Sequence, residues 1–157
     1  MKTRVTWLED MTYVAQSPSG HAVVLDGPPE LGGHNLGPRP MEMLLMGMGG
    51  CTAIDVVNIL RKARQDLRGC EVQLEAERAD SDPKVFTTIH VHFILTGKAL
   101  SAKQVERAIE LSAEKYCSAS IMLGQTARIP HKEGGSLAKQ SVAKLPLPSR
   151  EGVGERG

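Results

Sequence analysis

The stretch PMEMLLMGMGGCTAIDVVNIL, residues 40–60, decides how this chain folds. Between Glu42 and Asp55 it carries no charge. Met41, Met43, Leu44, Leu45, Met46 and Met48 are followed by Ile54, Val56, Val57, Ile59 and Leu60. A helix apolar on nearly every face is usually a buried one. Pro40 suits the first turn, where its missing N–H is not needed. Arg61, Lys62 and Arg64 put positive charge at the negative end of the helix dipole. The uncharged run is too short to span a bilayer, so a buried core helix is expected, with no membrane partner. Gly49 and Gly50 each cost about 1 kcal/mol of helix propensity relative to Ala; their place in mid-helix lets another backbone come close. Cys51 follows them, a thiol in what is expected to be the most buried helix.

Upstream, residues 2–8, 11–17 and 21–26 alternate and are partly β-branched or aromatic. Turns are expected at Glu9-Asp10 and Pro18-Ser19-Gly20, so these three runs form an antiparallel meander. Residues 27–39, GPPELGGHNLGPR, hold too many glycines and prolines for regular structure, and deliver the chain into the helix. Downstream, residues 66–69 read as a turn. In 70–78, Val72, Leu74 and Ala76 oppose Glu71, Gln73, Glu75 and Glu77, a strand with one solvated face. Residues 85–96 form the longest strand, with Ile89, Val91 and Phe93 on one face and His90, His92 and Ile94 on the other. A helix spans 101–114, with Ser101 and Gln104 as a capping box. A break at 116–118 precedes a short helix over 120–123, closed by Gly124, and a last strand over 126–132. The order β-β-β-α-β-β-α-α-β makes residues 1–133 a single α+β domain, helices against an antiparallel sheet. Residues 134–157 are polar and aperiodic and read as a tail without fixed structure.

Composition narrows the function. The 157 residues carry 19 Lys+Arg against 18 Asp+Glu, a net charge of +1, which lacks the basic excess of a nucleic-acid binder. Aromatic side chains are too few for base-stacking platforms. The opening MKTRVTWLED has no apolar run and no cleavage pattern, so no signal peptide and a cytoplasmic location are expected. Cys51, Cys70 and Cys117 are too widely spaced for a disulfide framework; CxxC, HExxH and GxxxxGK[ST] are all absent, so neither metal nor nucleotide cofactor is expected. Cys51, three turns into its helix, gains little from the dipole. Cys117, at the break, is placed where a following helix would stabilise a thiolate. Each taken alone is more often a small buried hydrophobe. Asp55, at i+4 from Cys51, shares its face; a structural role fits it better than thiol activation. His90 and His92 lack a third ligand nearby and read as a solvated face.

Three segments together resemble the OsmC/Ohr family, most nearly its YhfA-like branch. They are Gly37-Pro38-Arg39-Pro40-Met41-Glu42, Met48-Gly49-Gly50-Cys51-Thr52-Ala53-Ile54-Asp55-Val56, and Tyr116-Cys117-Ser118-Ala119-Ser120 with Leu123. The resemblance covers about residues 1–132 and includes the element order. It implies an intertwined homodimer around the central helices, with each site at the subunit interface. It also implies metal-free peroxidase chemistry on small organic hydroperoxides. Cys51 would be the peroxidatic thiolate, Cys117 the resolving thiol, and an external dithiol the reductant. The family's usual Glu, ten positions before the first cysteine, is Met41 here; Glu42 lies half a turn away from Cys51. No arginine occurs in the meander from 11 to 26, which leaves Arg39 as the expected activating charge, with His34 and His21 behind it. The alternative is a non-enzymatic small-molecule or partner-binding protein of the same fold, its thiols vestigial or sensory.

Overall fold

The structure, a computed structural model, describes residues 1–132; the expected tail at 134–157 lies outside the described residues. Three strands come first, β1 (Arg4–Glu9), β2 (Thr12–Gln16) and β3 (Ala22–Asp26), and form an antiparallel sheet in that order. Asp10 turns the chain at φ 48°, and Gly20 at φ 87°, in the left-handed region that Asp tolerates and Gly enters freely. Every residue of β1 is exposed, including Val5, Trp7 and Leu8. This sheet is therefore an arm with an apolar surface and little of the core beneath it.

The 23-residue helix α1 (Pro40–Lys62) leads to β4 (Asp66–Arg78) and β5 (Phe86–Lys98), a long antiparallel ribbon. Then come α2 (Ala102–Leu111), a π turn over Ser112–Tyr116, α3 (Ser118–Leu123) and β6 (His131–Lys132), which runs parallel to β5. Alternation in β5 puts Ile89, Val91, Phe93 and Leu95 inward, and the register sets Leu74 opposite Val91 and Val72 opposite Phe93. Met48, Val56 and Leu60 of α1 and Ala108 and Ile109 of α2 complete the core. Gly49 is where α1 meets the ribbon: a Cβ there would lie 2.7 Å from Leu74 Cδ1, so the close neighbour is a side chain rather than a second backbone. A Cβ on Gly50 would meet nothing within 4 Å.

Several expectations need correction. Residues 66–69 are not a turn but the start of β4, which pairs with Gly97 and Lys98 through a bulge after Leu67. The last strand shrinks to His131–Lys132 with a single bridge at Arg128, and it is parallel. The capping box at Ser101 is half made. Its hydroxyl accepts from the Gln104 N–H, but its own N–H donates to Gln65 Oε1 instead.

α1 is the core helix that was expected, and within one chain its burial is one-sided. Its side chains fall into i, i+4 rows. Met48, Thr52, Val56 and Leu60 are fully buried, whereas Met46, Gly50, Ile54 and Asn58, on the opposite face, are all exposed. By length and hydropathy α1 would reach across a bilayer, but its buried row makes it the core helix of this domain.

The segment 27–39 is irregular apart from a 3₁₀ turn at Pro29–Leu31. Buried Asp26 organises it: Oδ1 accepts from the Gly27 N–H, and Oδ2 from the N–H groups of His34 and Leu36. These donors, Leu36 foremost, hold the Asp26 carboxyl below its ordinary pKa.

Candidate functional site

The row of α1 between its buried and exposed rows carries Cys51 and Asp55. Facing them is the junction of α2 and α3. A π turn adds a residue to the helical repeat, and here the Cys117 N–H donates to the Ser112 carbonyl at 2.8 Å across it. The added residue brings Ser112 and Cys117 to the same side of the chain, both against α1. The Sγ atoms of Cys51 and Cys117 and a carboxylate oxygen of Asp55 all lie within 4.8 Å of one another. All three cysteines are free thiols.

A chain of hydroxyls fixes this group. Ser112 Oγ donates to Asp55 Oδ2 at 3.2 Å and lies 2.8 Å from Thr52 Oγ1. A hydroxyl has one proton to give, so Thr52 donates to Ser112, which donates to Asp55. Thr52 and Ser112 are fully buried. Cys117 is the N-cap of α3, and its sulfur accepts from the Ser120 N–H at 3.4 Å and the Ser120 hydroxyl at 3.1 Å. Burial pushes the Cys117 thiol above its ordinary pKa. The two Ser120 donors pull it back, and the neighbouring Cys51 pushes it up again. Among the described residues no lysine or arginine is hydrogen-bonded to either sulfur or to Asp55.

The family is decided by one match. The model of the OsmC-like protein family covers residues 33–132, most of the chain and every residue of the thiol site. This chain belongs to the OsmC-like family. It is 49% identical over 131 residues to Protein YhfA of Escherichia coli K12, covering 83% of this chain and 95% of that protein. A solved structure from structural genomics is 48% identical with a TM-score of 0.76, over 84% of this chain and 95% of the other. A structure from Legionella pneumophila described as an organic hydroperoxide resistance protein OsmC superposes with a TM-score of 0.63 at 17% identity, over 83% and 95% of the two chains. At that identity it shows the shared OsmC fold, helices with antiparallel sheet.

The expected site residues are thus placed as follows. Cys51 and Cys117, 66 positions apart in sequence, are neighbours. Arg39 is the N-cap of α1, where its N–H donates to Glu42 and its guanidinium to Asn35 Oδ1. Twelve residues of helix separate it from Cys51 by about 18 Å, so within one chain it stands apart from the thiols. His34 pairs with Asp10 at 2.8 Å in the open, and His21 bonds Ser19. Cys70 packs against the core, and burial pushes its thiol up. Sequence reasoning missed Ser112 and Ser120. The second signal was present in the Cys117-Ser118-Ala119-Ser120 string, where Ser120 stands at the capping distance from Cys117. Nothing local marked Ser112. A cleft of about 570 Å³ runs past Glu106, Glu110, Glu114 and His131; it touches the site only through Ser120, and neither thiol lines it.

Proposed function

We propose that this protein is a homodimeric thiol peroxidase acting on organic hydroperoxides in a reducing, cytoplasmic setting. The observation that carries the reading is the placement of two free thiols within 4.8 Å in a family fold shared with a protein described as an organic hydroperoxide resistance protein. Cys51, the less buried of the two, is the peroxidatic group. Its thiolate attacks the outer peroxide oxygen, the O–O bond breaks, and the alcohol leaves as Cys51 becomes a sulfenic acid. The Cys117 thiol then displaces water to form the disulfide, and an external dithiol reduces it. The sulfurs need to close from within 4.8 Å to about 2.05 Å, the length of an S–S bond.

Two features support assembly. Leu44, Met46 and Ile54 leave an apolar surface on α1, and β1 exposes Val5, Trp7 and Leu8. A second copy on the Met46–Ile54 row would cover Cys51, which lies on the adjoining row. It would also provide a route for a cation from the partner's 27–39 segment, Arg39 first, to stabilise the thiolate and the leaving oxygen.

That no lysine or arginine among the described residues is bonded to the thiols is the observation that favours the second reading, a binding or sensory protein of the same fold. Stopped-flow oxidation by an organic hydroperoxide separates the two. Wild type should react far faster than a free thiol, Cys51→Ser should abolish turnover, Cys117→Ser should stop at a trapped sulfenic acid, and Arg39→Ala should slow the first step. A wild-type rate equal to that of a free thiol refutes the peroxidase.

A further inference from the structure

The cluster of Cys51, Asp55 and Cys117 has a property that peroxide chemistry does not use. It is a set of two sulfurs and one carboxylate oxygen, already gathered within 4.8 Å. Two thiolates bound to a tetrahedral Zn²⁺ at about 2.3 Å each sit about 3.8 Å apart, so only small side-chain adjustments separate this cluster from a ligand shell. The surrounding hydrogen bonds are those that orient ligands. Ser120 gives its N–H and O–H to Cys117 Sγ, and Ser112 gives its O–H to Asp55 Oδ2. Asp55 Oδ1 has no hydrogen-bond partner among the described residues and is left to coordinate. Cys117 is fully buried, but Cys51 and Asp55 are only half-buried, which gives an ion a side from which to enter. Fully deprotonated, the three groups carry three negative charges with no lysine or arginine bonded to them among the described residues.

We propose that the reduced protein binds one Zn²⁺ per chain through Cys51 Sγ, Cys117 Sγ and an Asp55 carboxylate oxygen, with a fourth position open to water. Two soft sulfurs select a borderline metal of this kind over Mg²⁺ or Ca²⁺. Binding displaces both thiol protons to solvent, so affinity rises with pH. The ion is a ligand of the resting thiols and not a cofactor of peroxide reduction. With both sulfurs bound to it, the metal draws electron density from the Cys51 sulfur and makes it a weaker nucleophile toward a peroxide, and the disulfide form has no thiolate for the metal. Zinc occupancy and the disulfide therefore exclude each other.

Occupancy is tested without peroxide, so its failure and that of the peroxidase reading are separable; the inhibitory consequence alone rests on that reading. Full-length reduced protein is titrated with Zn²⁺ against a chromophoric chelator, and with Co²⁺ for thiolate-to-metal charge-transfer bands. Wild type should take one equivalent and show the bands. Cys51→Ser or Cys117→Ser should remove them. Asp55→Asn, which keeps the side-chain shape, should weaken Zn²⁺ by at least about tenfold, the scale on which even outer-shell changes act. Cys70→Ser should change nothing, nor should the double change of His90 and His92 to Ala. Disulfide formation with diamide should release the ion. The proposal falls if the cysteine variants retain wild-type affinity, if Asp55→Asn is silent, or if the histidine variant is the one that loses binding.

Discussion

Replacing Ile54 by Ala asks a question whose answer differs by orders of magnitude between a monomer and a dimer. Ile54 is 71% exposed in the single chain. If that surface faces water, removing it costs within about 0.5 kcal/mol, as for other exposed positions away from special features. If it lies against a second copy, the exposed share of the side chain is what the interface buries. Full burial of an Ile is worth about 1.5–3 kcal/mol, so that share is worth about 1–2 kcal/mol per chain. In a two-fold interface the loss counts twice, about 2–4 kcal/mol, or roughly thirty- to several-hundredfold in the dimer dissociation constant. Sedimentation equilibrium over a dilution series measures it directly. Where the wild-type dimer is too tight to dissociate, urea unfolding at several protein concentrations gives the same quantity, because dimer stability depends on protomer concentration. A wild-type chain that sediments as a folded monomer, or an Ile54→Ala constant within a factor of two of wild type, would refute the interface.

Two further outcomes follow from the hydrogen bonds. Ser112→Ala leaves the buried Thr52 hydroxyl and Asp55 Oδ2 without their partner, and should cost about 1–3 kcal/mol in urea unfolding; Thr52→Val, which removes the end of the chain and leaves Ser112 bonded to Asp55, should cost less. Asp26, held below its ordinary value of 3.8 by the amides of Leu36, His34 and Gly27, contributes stability that is present above pH 3.8 and is lost as pH falls through its lower folded-state value. Hydrogen exchange of the Leu36 and His34 amides should therefore stay slow at pH 5 and speed up below about pH 4 beyond the intrinsic trend; Asp26→Asn should remove that extra step.

The strands of this fold were legible because their alternation is local. Val72, Leu74 and Ala76 against Glu71, Gln73 and Glu75 needed no knowledge of a partner, and the burial of β4 and β5 follows it. Leu67 at the start of β4 was hidden, because Asp66 and Gly69 carry turn chemistry and only pairing with β5 overrides it. Cys117 as the cap of α3 was legible from the break in helical pattern around it. Ser112 was not, since its role comes from contacts with Thr52 and Asp55, 60 and 57 positions away, and from a π turn that shifts the helical phase by one residue. Asp26 was hidden for the opposite reason: as the last residue of a strand it looked like an ordinary boundary, and its acceptors work on amides of a loop whose path the sequence leaves open.

The reading of α1 is the most informative. An uncharged helix apolar on nearly every face pointed to a buried helix; one chain buries the row from Met48 to Leu60 and leaves the opposite face bare. The inference from pattern to burial was about the final environment of the side chains, and one chain is not that environment if Met46 and Ile54 meet a second copy. The same helix then explains why the thiol is where it is. Row by row, α1 passes from core at Met48, Thr52 and Val56, through Cys51 and Asp55, to exposed apolar surface at Met46, Gly50 and Ile54. A thiol on the core row would be closed to any peroxide or ion, and one on the outer row would lie far from Cys117. Only the row between reaches a buried partner thiol on one side and an incoming ligand or subunit on the other. Ile54→Ala should therefore disturb the reactivity of Cys51 as well as assembly, and measuring the oxidation rate of Cys51 across the same dilution series checks it: a rate that ignores the monomer–dimer equilibrium would mean that the interface and the thiol site are independent.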